Sequence, residues 1–138
     1  MNRKVLFVTL VPPLAIFGLV GLYWNLPWSQ SRIAGLSLLA VGLVFLTIAR
    51  FQLGDSFSIR PEAKRLVTQG LYSKIRNPIY FFGIFVFAGL FLYIERPRLV
   101  LLVLPVIVLQ FFRARAEARA LDENFGEEYR AYRAKTWF

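Results

Sequence analysis

The stretch Leu66-Val67-Thr68-Gln69-Gly70-Leu71-Tyr72-Ser73-Lys74-Ile75-Arg76-Asn77-Pro78-Ile79-Tyr80 decides how this chain is read, because charges, turn formers and two tyrosines run straight into the uncharged block Ile79 to Ile94. A change this abrupt marks the edge of a membrane span. Outward from it, three more blocks carry no charge: Val5 to Tyr23, Ile33 to Ala49 and Leu99 to Phe112. With 57% hydrophobic and 17% aromatic residues in a chain of 138, the composition predicts one all-α integral membrane domain over residues 1–138. Four transmembrane helices are expected near 5–23, 33–51, 77–94 and 98–115, with a loop at 52–76 and a C-terminal tail of amphipathic helices at 116–138.

The first two blocks span a bilayer unaided. The other two fall short of the roughly 20 residues a spanning helix needs and must draw on their flanks. Arg96-Pro97-Arg98 sits in the middle of the short connection between them, which predicts a helical hairpin with its arms packed together. Arg3 and Lys4 before the first block also suit a signal peptide, but the run is long and no small-residue cleavage site follows, so it reads as a retained span. The chain has no cysteine and no histidine. Disulfides, thiolate and imidazole metal sites and histidine-based hydrolysis are thereby excluded, and no metal is expected.

The formal charge of +9 is informative through its placement. Fourteen of the 17 basic residues flank the ends of the spans that share one side, including Arg50, Arg60, Lys64, Arg65, Lys74 and Arg76 between spans two and three; only Arg32, Arg96 and Arg98 lie on the other. The excess predicts that both termini and the central loop are cytoplasmic. Seven of the eight acids share that side, so any chemistry is expected there. Attraction to anionic lipid accounts for the basic surplus without nucleic acid.

Between spans two and three, Gly54 to Glu62 mixes turn formers with isolated apolar residues and reads as an interfacial segment. Gly70 permits a sharp turn. Asn77-Pro78 biases Asn77 away from helix and puts Pro78 in the first turn of span three. A helix start offers unpaired N–H groups suited to a carboxylate, and Tyr72 and Tyr80 offer flat faces for a ring or cation. After span four, Arg113-Ala114-Arg115-Ala116-Glu117-Ala118-Arg119-Ala120-Leu121 continues as helix, placing Arg113 and Glu117 on one face. Phe125 to Tyr132 then reads as a turn and a short amphipathic helix against the membrane.

The combination Leu66-Val67-Thr68-x-Gly70-x-Tyr72, Arg76-Asn77-Pro78-x-Tyr80, a helical hairpin, then Glu117-x-x-x-Leu121-x-x-x-Phe125-Gly126-Glu127-Glu128-Tyr129-x-x-Tyr132 resembles the isoprenylcysteine carboxyl methyltransferase and phospholipid methyltransferase superfamily, over roughly residues 50 to 135. The resemblance implies an S-adenosylmethionine-dependent integral membrane methyltransferase whose cofactor pocket opens to the cytoplasm while a lipid-like or prenylated acceptor enters from the bilayer. It implies cofactor contacts at Lys64, Arg65, Leu66, Val67, Tyr72, Asn77, Pro78, Ile79, Tyr80 and Glu117, and a substrate contact at Arg113. Many relatives have histidine where this chain has Asn77, and a second glutamate where it has Ala118.

Methyl transfer from a sulfonium is an in-line displacement that needs alignment and dryness more than acid–base groups. A carboxylate acceptor is already ionised at neutral pH, which favours carboxyl O-methylation; the Arg-Asn-Pro variant favours phospholipid N-methylation. Two other expectations stand beside these. One is a small membrane scaffold or assembly subunit without enzymatic activity. The other is a nicotinamide-dependent reductase of the membrane steroid-reductase type, which shares a similar Arg-(His or Asn)-Pro-x-Tyr element.

Overall fold

In the computed structural model, which describes residues 3–54 and 66–137, the chain is helical, and no strand occurs among the described residues. The first helix, α1 (Arg3–Leu22), and the second, α2 (Gln30–Leu53), are each long and apolar enough to cross a membrane. Ser29 starts α2 as its N-cap, its hydroxyl accepting from the Arg32 N–H at 3.2 Å; Gly54, at φ 54°, ends it. Helix α3 (Pro78–Ile94) begins with its proline in the first turn and stops at Glu95, which takes the left-handed conformation. At 17 residues it is shorter than a free-standing span.

The fourth expected span differs from its reading. Residues 98–115 are not one helix: a single turn, α4 (Pro97–Val100), is followed by a new helix, α5 (Val103–Phe125), that runs without a break through the expected end of the span. Pro105 explains the restart. It has no N–H for the Leu101 carbonyl and its ring crowds that group, which favours seating it in the first turn of a helix beginning near Val103. Gly126, at φ 50°, then turns the chain into α6 (Glu127–Lys135), whose acidic first turn and basic last turn both complement the helix dipole.

The closest packing in the molecule is between α2 and α3. A Cβ on Gly89 would lie 2.7 Å from the Gly35 carbonyl, and one on Gly42 would lie 2.9 Å from the Val86 nitrogen, so these helices touch backbone to backbone through small residues. Leu39, Val86, Tyr93 and Val20 form the core beside this seam. Helix α3 meets α5 where a Cβ on Gly83 would approach the Gln110 amide and again at Tyr80, described below.

Helix α1 is tied on at both ends. At one, Arg50 Nη1 donates to the Val8 carbonyl at 2.7 Å, an oxygen that Pro12 cannot serve because it has no N–H to return to the residue four earlier. At the other, Tyr93 Oη donates to the Val20 carbonyl at 2.7 Å, and Arg32 donates to the carbonyls of Tyr23 and Pro27. Elsewhere large apolar side chains face outward, among them Phe7, Leu14, Phe17, Val44, Leu104 and Phe112. Such a surface is stable in lipid and prone to association in water.

Candidate functional site

The segment leading to α3 is shaped by a 3₁₀ turn, Gly70–Ser73. Gly70 adopts φ +63°, a left-handed conformation that favours glycine, and a Cβ there would displace the Gln52 side-chain amide. Gln52 Oε1 accepts from the Leu71 N–H at 2.8 Å, tying the turn to the end of α2. The turn buries Tyr72, which packs with Ala49 and Val67, and Ile79 packs against the same group. Leu66 and Val67 also line a small polar cavity of about 330 Å³ with Gln52 and Gly70.

At the start of α3, Asn77 has non-helical angles and makes no side-chain cap hydrogen bond. Pro78 is fully buried beneath it. The next N–H groups, of Ile79 and Tyr80, belong to the unpaired first turn of the helix. One turn in, Tyr80 Oη donates to Glu117 Oε2 at 2.8 Å, linking α3 to α5, and the Arg113 guanidinium lies 5.7 Å from the centre of the Tyr80 ring. The four-residue spacing of Arg113 and Glu117 thus yields a three-membered cluster with Tyr80 rather than a simple surface ion pair.

Electrostatics follow from burial. Glu117 is pushed above the usual carboxylate range because it is withdrawn from water; the Tyr80 hydrogen bond and the Arg113 charge offset only part of that. Tyr72 is raised by burial first and by the Glu117 charge second, which keeps it a neutral phenol.

The tail closes over this region, a contact with no counterpart in the sequence reading. Tyr132 Oη donates to the Tyr72 carbonyl at 2.6 Å, Ile75 forms an isolated β-bridge with Trp137, and Trp137 meets the Phe81 ring edge-on at 5.3 Å. Tyr129 and Tyr132 are buried by this docking, and burial raises the Tyr132 phenol to about 12. The Phe125 to Tyr132 pattern contained these tyrosines but not their partner.

Of the residues singled out by sequence, Tyr80, Glu117 and Arg113 converge, and Val67, Tyr72 and Ile79 form an adjoining packed group beside Asn77 and Pro78. Leu66 faces the polar cavity next to Gln52. Lys64 and Arg65 lie outside the described residues. Arg50, counted by sequence only as a topological charge, lines an apolar cavity beside the site; its signal was a lone cation in the last turn of an otherwise uncharged stretch.

A family model described as phospholipid methyltransferase matches residues 30–128, from the first residue of α2 into α6. No curated protein and no solved structure matches the chain.

Proposed function

Because the chain belongs to the phospholipid methyltransferase family, we propose that it is a membrane methyltransferase using S-adenosylmethionine and acting on a lipid-like acceptor, from four membrane-crossing segments with both termini in the cytoplasm. The observation that carries the reading is the Tyr80–Glu117 hydrogen bond at 2.8 Å with Arg113 beside the same ring. It joins the start of α3 to α5 where charges of both signs meet aromatic faces.

The residues suit such a cofactor. A half-buried carboxylate held above its ordinary pKa is stabilised in its ionised form by an arriving ammonium, which is what a methionine moiety offers. The uncapped first turn of α3 suits the carboxylate of the same moiety. Tyr72 and Tyr80 suit the adenosine or sulfonium, with Leu66, Val67, Asn77, Pro78 and Ile79 shaping the wall around them; Lys64 and Arg65 are assigned to the cofactor by the sequence resemblance alone. When bound, S-adenosylmethionine would supply a methyl group on a positively charged sulfur, activated for in-line transfer to the acceptor. The protein's own part is to align the acceptor, exclude water and hold the charges still, which is worth several kcal/mol in a reaction of this type.

The acceptor reading is carboxyl O-methylation, since a carboxylate needs no base. A second reading, N-methylation of a phospholipid amine, is favoured by the family match. Calorimetric titration of folded, detergent-solubilised protein with S-adenosylmethionine tests the shared premise. Binding that is lost in Glu117→Ala is expected; no binding, or a preference for NADPH, overturns it. Mass spectrometry of lipids and membrane proteins labelled from a deuterated methyl donor then separates O- from N-methylation.

A further inference from the structure

Between α1, α2 and α3 lies a cavity of about 450 Å³, within the roughly 300–1,000 Å³ typical of small-ligand sites. It follows α3 from Ile79 to Leu90, about 16 Å of helix axis at the standard rise. Its deep end is apolar, walled by Ile16, Leu43 and Leu90. Its polar residues, Thr9, Thr47, Arg50 and Gln110, gather toward the end where Tyr80 and Glu117 sit.

That asymmetry is the shape of an amphiphile. An elongated apolar space ending in a cation suits one hydrocarbon chain carrying an anionic group, and it disfavours a neutral or cationic head. Arg50 is well placed to read that group. Arg50 lines the cavity, and its Nη1 is held by the Val8 carbonyl. Arg113 itself is engaged at the Tyr80–Glu117 cluster, which leaves the acceptor side to Arg50. The wall that α1 contributes lies before residue 30, outside the matched span.

Resting on the methyltransferase reading, we propose that this cavity takes the apolar chain of the acceptor and that Arg50 binds the acceptor's anionic group, carboxylate or phosphate, beside the site of methyl transfer. Arg50 is then a specificity-determining residue, and α1 sets the length of chain admitted.

The test is photocrosslinking of the full chain in neutral phosphatidylcholine vesicles with a medium-chain alkyl phosphate bearing a diazirine, in competition with unlabelled alkyl phosphates, alkyl carboxylates and alkyl alcohols of graded length. Labelling is expected at the cavity residues of α1, α2 and α3, with an anionic head competing about tenfold better than the alcohol, a preference that Arg50→Gln abolishes and Arg50→Lys retains. Whichever anion competes better identifies the head. Ile16→Phe, or Leu46→Phe should the first variant misfold, is expected to shift the preference toward shorter chains. Labelling spread over outward-facing Phe7 and Phe17, or a head preference indifferent to Arg50→Gln in protein that still binds S-adenosylmethionine, overturns the proposal alone. Arg50-dependent labelling in protein that binds no S-adenosylmethionine sustains the pocket and sinks the methyltransferase reading instead.

Discussion

The molecule buries charge at two ends and treats it in opposite ways. At one, Arg32 is 1% exposed, donates to the carbonyls of Tyr23 and Pro27, and lies 4.7 Å from the ring centres of both Trp28 and Tyr93. At the other, the half-buried Glu117 has Tyr80 as its donor and Arg113 nearby, and its charged form is still disfavoured by partial withdrawal from water. The first site is built to hold itself together, tying the α1–α2 turn to α3. The second leaves electrostatic demand for an incoming group to meet, which is the usual arrangement of a binding site.

The comparison breaks most visibly at Arg32. Arg32→Ala is expected to lower stability by about 3 kcal/mol or more, because two carbonyls and two aromatic faces lose their partner together; thermal unfolding in detergent measures this, and the fraction that stays folded should bind S-adenosylmethionine as before. Glu117→Ala should do the reverse. Affinity for the cofactor is expected to fall by about 1.5–3 kcal/mol, read by calorimetry, with the melting temperature unchanged or higher once the half-buried carboxylate is gone. Equal losses of stability and affinity at both sites would erase the distinction.

A pH series sharpens it. Because the folded-state pKa of Glu117 lies above its unfolded value, the ligand-free protein binds an extra proton between the two and grows more stable as pH falls through that window. Cofactor affinity should move the opposite way, weakening over the same window as the carboxylate is neutralised. Glu117→Gln should flatten both curves. The smallest expected effect is that of Tyr80→Phe, about 1 kcal/mol of affinity, together with an upward shift of that pH midpoint, since the lost hydrogen bond favours the charged form.

Much of this arrangement was legible in the sequence because it is local. The Pro78 and Gly126 boundaries follow from what each residue does to its own backbone, and Tyr80, Glu117 and Arg113 stood in a recognisable order along the chain. The rest depends on distance in sequence. Gly35 and Gly89 are unremarkable apart and decisive together, so nothing along either helix announced that α3 would pack most closely on α2. Arg32 looked like one of three basic residues on the sparse side, since a formula based on charge placement does not see the rings that enclose it. The docking of Tyr132 and Trp137 on residues 72–76 joins two polar segments that each resemble surface. The restart at Val103 was the exception: Pro105 was in view, but the uncharged run around it suggested continuity.

The link between α1 and α2 has a consequence for how this chain can vary. Pro12 strips the Val8 carbonyl of its helical donor, and Arg50, on another helix, supplies one. A change at either residue is then felt at the other. Replacing Arg50 by an aliphatic residue orphans a carbonyl in apolar surroundings, whereas replacing Pro12 by alanine restores an N–H that competes for the same oxygen. The two positions are expected to show non-additive effects in a double-mutant cycle, and a lineage that loses the proline is relieved of one structural reason to keep the arginine.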